Sequence, residues 1–265
     1  MTPQVADILL RIVRRRRELL AAAAAASPVG GRSPEVRPLA GGRPNPFLGA
    51  LQARRGRAVI AEIKLGSPRL GSLEGRVDPT RQARLYADHG AAALSVVVEP
   101  DFFHGSYDLL TRCREASELP VLAKDFVVDR QQLAWAQQAG AHAVLLIAAL
   151  YEAPELHSYA EEARRLGLLP LIEIHDRADL KKLRGRRWEL VGVNNRDLRT
   201  FEISLGRSIE MAAELPEDAL KVAESGISEP EEVERLATAG FDAFLIGESL
   251  LLSEDPAAQL RRLVA

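Results

Sequence analysis

The chain is poor in several things that would narrow its chemistry. One cysteine, Cys113, in 265 residues excludes an internal disulfide framework and a cysteine-rich zinc site, and fits a reducing compartment such as the cytoplasm. Cys113 itself reads as an ordinary helix residue. No apolar run reaches the roughly 18 residues of a membrane span. Charge of one sign is also lacking: 35 Lys and Arg against 37 Asp and Glu leave a formal net of -2, so neither a nucleic acid nor a membrane surface is implied. His89, His104, His142, His157 and His175 show no recurrent metal spacing. His175 stands two residues after Glu173 without a second histidine nearby, so no metal site is expected. Arg14 to Arg17, followed by Leu19, Leu20 and six alanines, superficially resembles a signal peptide. The alanines are weakly hydrophobic and Glu18 interrupts the approach, so secretion is not expected; the arginine run is read as a solvated face.

What is present is a long alternation. With 47% hydrophobic residues the chain can bury one large core or two small ones. Residues 4–26 carry Val5, Ile8, Leu9, Ile12 and Val13 at helical spacing. Residues 27–46 are rich in proline and glycine and read as an arm or lid. Short apolar strands are expected at 58–64, 92–98, 121–125, 143–147, 169–174, 190–194, 220–224 and 243–246. Amphipathic helices are expected at 79–89, 107–116, 130–139, 153–166, 177–183, 205–213, 230–239 and 256–264, several stopped by Ala-Gly or His-Gly. Eight βα units read as a (β/α)8 TIM barrel with an N-terminal helical extension, in one domain: 1–46 extension and arm, 47–265 barrel. A doubly wound open sheet is the alternative, since alternation does not prove closure.

Charges at the strand ends point to a site. Glu62 and Lys64 share one face of the first strand with Ile60, so an apolar face turns charged along its length. An edge-strand ion pair is the plain alternative. Lys124, Glu173, Asn194 with Arg196 beyond it, and Glu224 with Ser225 stand at other strand ends. Such groups beside a core need one another or a ligand. Asp125 points to the opposite face from Lys124 and reads as a strand-end or capping contact, and Tyr107 and Trp135 read as helix packing residues. Ser225-Gly226 and Gly247-Glu248 place small residues and backbone N–H groups after the last two strands, where phosphate is often held in this fold. A phosphorylated small molecule is the inference, tight turns without a ligand the alternative.

Several stretches together resemble the indole-3-glycerol-phosphate synthase family of tryptophan biosynthesis: Ile60 to Lys64 with Ser67-Pro68, Phe102 to Tyr107, Val121 to Phe126, Leu171 to Ile174, Val191 to Leu198, Val222 to Ser228, and Phe244 to Leu250. The resemblance spans roughly residues 45–252. It implies a decarboxylating lyase that closes the indole ring without cofactor or metal. On this resemblance Lys124 is the general acid, Lys64 pairs with the substrate carboxylate, and Glu62 holds the lysines. Glu173 is the base of the dehydration; Asn194 and Glu224 serve the sugar hydroxyls and lysine positioning. Ser67, Ser225, Gly226, Gly247 and Glu248 match the phosphate side, Phe103 and Phe126 the aromatic slot, and Arg196 adds positive charge or anchors its loop. A cytoplasmic monomer is expected.

The chain departs from the family pattern at Leu65-Gly66, Arg69, Val98 and Ala123, which leaves open whether Arg69 holds the phosphate or carboxylate. A Schiff-base aldolase using Lys124 as nucleophile and a catalytically silent phosphosugar-binding barrel are the competing readings.

Overall fold

The computed structural model describes residues 6–26, 44–73, 75, 77–197, 200 and 202–265. The arm expected at 27–46 therefore falls largely outside the described residues. Eight parallel strands run β1 (Ala58–Ile63), β2 (Ala93–Val97), β3 (Val121–Lys124), β4 (Ala143–Ile147), β5 (Leu169–Ile174), β6 (Leu190–Asn194), β7 (Leu220–Glu224) and β8 (Ala243–Ile246). Each pairs with the next, and β8 pairs back with β1. Ile60 lies in register with Leu245 on one side and Ala93 on the other. The sheet is therefore a closed (β/α)8 barrel and not the open alternative.

Two helices precede it, α1 (Ala6–Ala26) and α2 (Pro46–Ala53). Around it follow α3 (Pro79–Asp88), the short α4 (Pro100–Phe103), α5 (Tyr107–Ser117), α6 (Arg130–Gln138), α7 (Ala153–Arg165), α8 (Arg177–Lys181), α9 (Leu205–Met211), α10 (Pro230–Thr238), α11 (Glu248–Leu252) and α12 (Pro256–Val264). Their starts are encoded locally. Asp78 accepts hydrogen bonds from Thr80 N and Arg81 N with Pro79 in the first turn, and Asp129 and Gln132 form a capping box. Gly140 ends α6 at φ 82°, the left-handed stop that the Ala-Gly pairs announce.

Alternate strand residues divide into two cores. Val59, Ala61, Ile63, Ile172 and Ile174 face the helices. Ile60, Leu122, Leu145, Leu171, Val222 and Leu245 fill the barrel interior, together with Phe47 and Leu51. Those two come from α2, which Asn45 fastens to the start of β4 through Nδ2 and the His142 carbonyl at 2.9 Å. The inward parity continues upward from Ile60 to Glu62, Leu122 to Lys124, Leu171 to Glu173 and Val222 to Glu224. The interior is thus apolar below and charged at the carboxyl ends of the strands.

Candidate active site

A cavity of about 670 Å³ opens at that charged end. Its wall includes Glu62, Lys64, Ser67, Phe103, Lys124, Phe126, Glu173, Asn194, Arg196, Ser225, Gly226, Gly247 and Glu248. Of the site residues expected from sequence, Glu224 alone does not line it; its side chain lies fully buried just behind.

One carboxylate organises the cationic wall. Glu62 Oε1 accepts from Lys64 Nζ at 2.8 Å and Glu62 Oε2 from Lys124 Nζ at 3.0 Å. Burial disfavours the charge on Glu62, but Lys124 and Lys64 more than offset this and hold its carboxyl well below the usual range. Lys124 is partly buried; Glu62, Glu224 and Glu173 overcome that penalty and keep its ammonium charged beyond the ordinary lysine range. The edge-pair alternative is excluded, because β1 has neighbours on both sides and both charges face the cavity.

A second cluster adjoins Lys124. Glu173 and Glu224 face each other as two buried carboxyls. Burial and the Glu173 charge push Glu224 well above the usual carboxyl range. Glu173 is itself opposed by burial, yet His175 and Lys124 draw it below that range. The two carboxyls of the pair are thus displaced in opposite directions, Glu224 toward its protonated form and Glu173 toward its ionised one. Among the described residues, no N–H or O–H group hydrogen-bonds to either oxygen of Glu224, and Lys124 Nζ approaches Oε2 only to 3.7 Å. His175 Nε2 lies 3.2 Å from Glu173 Oε1.

The remaining wall is made by loops. Ser225 and Gly226 take consecutive left-handed conformations, φ 69° and 79°. Such a turn is unfavourable for serine and costs on the order of 1–3 kcal/mol. Glu248 joins three loops: its carboxylate meets the guanidinium of Arg69 and lies 3.5 Å from Arg196. Asn194 Oδ1 accepts from Arg196 N at 3.0 Å, and Ser67 Oγ accepts from Leu70 N at 3.0 Å in the turn after β1. Gly247 has a use beyond an open backbone, since a Cβ there would meet Glu62 Cβ at 2.9 Å. Phe103 and Phe126 form a tilted pair, centroids 6.0 Å apart. Phe103 is set by Glu99, whose buried carboxylate accepts from the N–H groups of Asp101, Phe102 and Phe103.

The chain matches the family model described as indole-3-glycerol phosphate synthase over residues 9–263. It is 44% identical over 220 residues to the indole-3-glycerol phosphate synthase of a Polaromonas species, covering 82% of this chain and 83% of that one. It is 43% identical over 223 residues to the enzyme so named from Koribacter versatilis, covering 83% and 86%. This chain belongs to the indole-3-glycerol phosphate synthase family. Membership also fixes its place among the lyases of tryptophan biosynthesis. Among solved structures, thiamine phosphate pyrophosphorylase from Pyrococcus furiosus matches with TM-score 0.59 at 12% identity, covering 80% of this chain and 95% of that one. That likeness is one of fold alone.

Three features of this family member were not evident in its sequence. The arginine run is not wholly solvated: Arg16 is buried, and its Nε and Nη2 donate to Asp125 at 3.1 and 2.5 Å. The signal lay in the four-residue spacing of Ile8, Ile12, Arg16 and Leu20, which puts Arg16 inside the apolar stripe of α1. Asp125 is more than a capping residue, since Tyr107 Oη at 3.0 Å and Gln132 Nε2 at 2.9 Å donate to it as well. Tyr107 accordingly joins this network besides packing edge-on against Trp135. Ile8, Leu9 and Ile12 of α1 complete the apolar rim of the cavity. The third feature is His175, which directly follows β5 and brings its ring beside Glu173. Among the described residues there is no cluster of three or more potential metal ligands, and no helix is long and apolar enough to cross a membrane.

Proposed function

We propose that this chain closes the indole ring of 1-(2-carboxyphenylamino)-1-deoxyribulose 5-phosphate, releasing carbon dioxide and water to give indole-3-glycerol phosphate. The observation that carries the proposal is the grip of Glu62 on two ammonium groups from different parts of the chain, 2.8 and 3.0 Å away. A substrate with an aromatic carboxylate and a ketone needs two cations held apart, one for each. Lys64 takes the carboxylate. Lys124 donates its proton to the ketone oxygen as the ring carbon attacks, which relieves the alkoxide charge in the transition state. Loss of carbon dioxide restores the ring. The new hydroxyl then departs as water with a proton from the Lys64 ammonium, and Glu173, ionised, takes the proton whose removal completes dehydration, while Glu224 and Asn194 orient the departing hydroxyl and the sugar. Phe103 and Phe126 line the slot for the aryl ring. Ser67, Ser225, Gly226, Gly247 and Glu248 meet the phosphate, the last two through backbone N–H, with Arg196 adding charge.

The competing aldolase reading requires a neutral lysine nucleophile. The three carboxyls around Lys124 favour the ammonium instead, which supports proton donation over Schiff-base formation. The reaction is assigned to a cytoplasmic monomer acting as a carboxy-lyase on this small phosphorylated substrate, with no cofactor, metal, nucleic acid or membrane.

Incubation with the carboxyphenylamino-deoxyribulose phosphate tests the proposal directly, by indole absorbance and released carbon dioxide. K124A is expected to lose on the order of 10²–10⁴-fold in turnover while still binding product. E173Q is expected to release carbon dioxide without forming indole. Wild-type turnover in K124A, or a borohydride-trapped adduct on Lys124, would sink the assignment.

A further inference from the structure

Two buried carboxyls that face each other share a proton, and symmetry alone does not say which one carries it. In this site the surroundings are not symmetric. Glu224 Oε2 has Lys124 at 3.7 Å, but that ammonium is engaged at 3.0 Å by Glu62. Glu173 Oε1 has His175 Nε2 at 3.2 Å, the nearest cationic group to it. His175 is the first residue after β5, and the chain leaves the strand there so that its ring lies between Glu173 and Asp179 of α8.

The ring is held in place from behind. Asp179, on α8, accepts a hydrogen bond from the backbone N of His175 at 3.1 Å, and its Oδ2 lies 3.8 Å from His175 Nδ1. Asp179 is in turn fixed by Lys182, whose Nζ donates to Oδ1 at 3.0 Å. Neither ring nitrogen has hydrogen-bonding geometry, so the ring acts on Glu173 through charge at short range more than through a directed bond.

We propose that His175 is a positioning residue that, as an imidazolium wedged between Glu173 and Asp179, assigns the shared proton of the carboxyl pair to Glu224 and leaves Glu173 free to accept one. The groups facing it are Glu173 on its own side, Asp179 and through it Lys182 on the α8 side, and, one layer further, Glu224 of β7 and Lys124 of β3. Burial would discharge the ring, but Glu173 and then Asp179 lift its pKa to about 9, so the cation is present at neutral pH. The sign follows. Removing the cation raises the pKa of Glu173, so the base becomes protonated at a pH where the wild type is active. This inference rests on the reading of Glu173 as the base.

The test is a titration of the glutamate carboxyls in ligand-free protein labelled with [¹³C]glutamate, comparing wild type with H175N and with H175Q. The resonance assigned to Glu173 by its absence in E173Q is expected to move its midpoint upward by about one pH unit or more in H175N, a tenfold change in the proton equilibrium. The acidic limb of the kcat profile should move by the same amount while KM stays close to wild type. H175Q, whose longer side chain can place an uncharged N–H where Nε2 faces Glu173, should recover only part of the shift. An unmoved titration and a parallel kcat profile in either folded variant overturn the proposal. Because the titration is read without substrate, failure of the ring-closure reading leaves this result interpretable. Normal ring closure with an unmoved titration removes this inference alone.

Discussion

The carboxyl of Glu224 lies directly over the α-carbon of Gly192, so that a methyl group at residue 192 would collide with Oε1 and meet Cδ at 3.2 Å. β6 lends this glycine to β7 as the space in which a buried carboxyl is stored. G192A is expected to push Glu224 toward Glu173 and Lys124. Displacements of about 1 Å in a catalytic constellation can cost on the order of 10²-fold. A fall of that size in kcat, with a thermal midpoint near wild type, is the expected outcome; unchanged kcat would show that the carboxyl can relocate freely.

Glu62 should influence both the rate and the acid stability of the protein. Its carboxyl is held below the usual range by Lys124 and Lys64, so it binds protons less readily when folded than unfolded. The stability this contributes is present above the unfolded carboxyl value and is lost as pH falls toward the folded one. E62Q should therefore flatten the acid side of a urea-midpoint profile. At pH 7 it should impair turnover more than stability, because two ammonium groups lose their common anchor. A purely stability-related defect would return the pair to a structural role.

Lys124 makes the opposite prediction at high pH. Its ammonium is favoured above the ordinary lysine value of 10.5, so its stabilisation is complete below that value and is lost as pH rises through the folded one. K124M should lose the alkaline dependence that wild type shows in the same urea titration. An identical alkaline limb in both proteins would mean that other groups carry it.

Arg16 and Asp125 form a bidentate pair that is closed off from solvent. Removing one member of such a pair typically costs about 3–5 kcal/mol, whereas replacing the charge by packed apolar volume costs less when its partner is also neutralised. R16A should lower the thermal midpoint by roughly 10 °C for a chain of this size. R16M with D125N should recover much of it. Scanning calorimetry of the two variants distinguishes the buried pair from the solvated arginine run that the sequence suggests.

Cys113 is buried on the inner side of α5, and burial pushes its thiol up to about 12. The folded protein should resist aromatic disulfide reagents at pH 8, and the thiol should react on unfolding in urea. Rapid labelling without denaturant would mean that α5 opens readily.

Much of this architecture is legible from local rules. β4 to β8 begin and end where their apolar runs do, because period-two burial and glycine stops leave little choice of register. β1 ends one residue earlier than expected, at Ile63, since the chain turns at Lys64 into the small hairpin of Gly66–Ser67 and Gly71–Ser72. α2 escaped notice because its eight residues follow a proline-rich stretch, although Asn45 and Pro46 form a readable cap. What the sequence concealed is long-range pairing. Nothing near Arg16 names Asp125 as its partner, and nothing near Glu173 says that Glu224 will face it.

On the proposed mechanism, the inward parity shared by Ile60 and Glu62, Leu122 and Lys124, Leu171 and Glu173, and Val222 and Glu224 makes the closed sheet a gauge block for proton transfer. Spacing between donor and acceptor is inherited from hydrogen bonds in the backbone, not from the side chains that move the proton. The chemistry at the mouth is thereby insulated from drift in the loops above it, while a slip of one strand by a single residue would turn an acid or a base to face the helices.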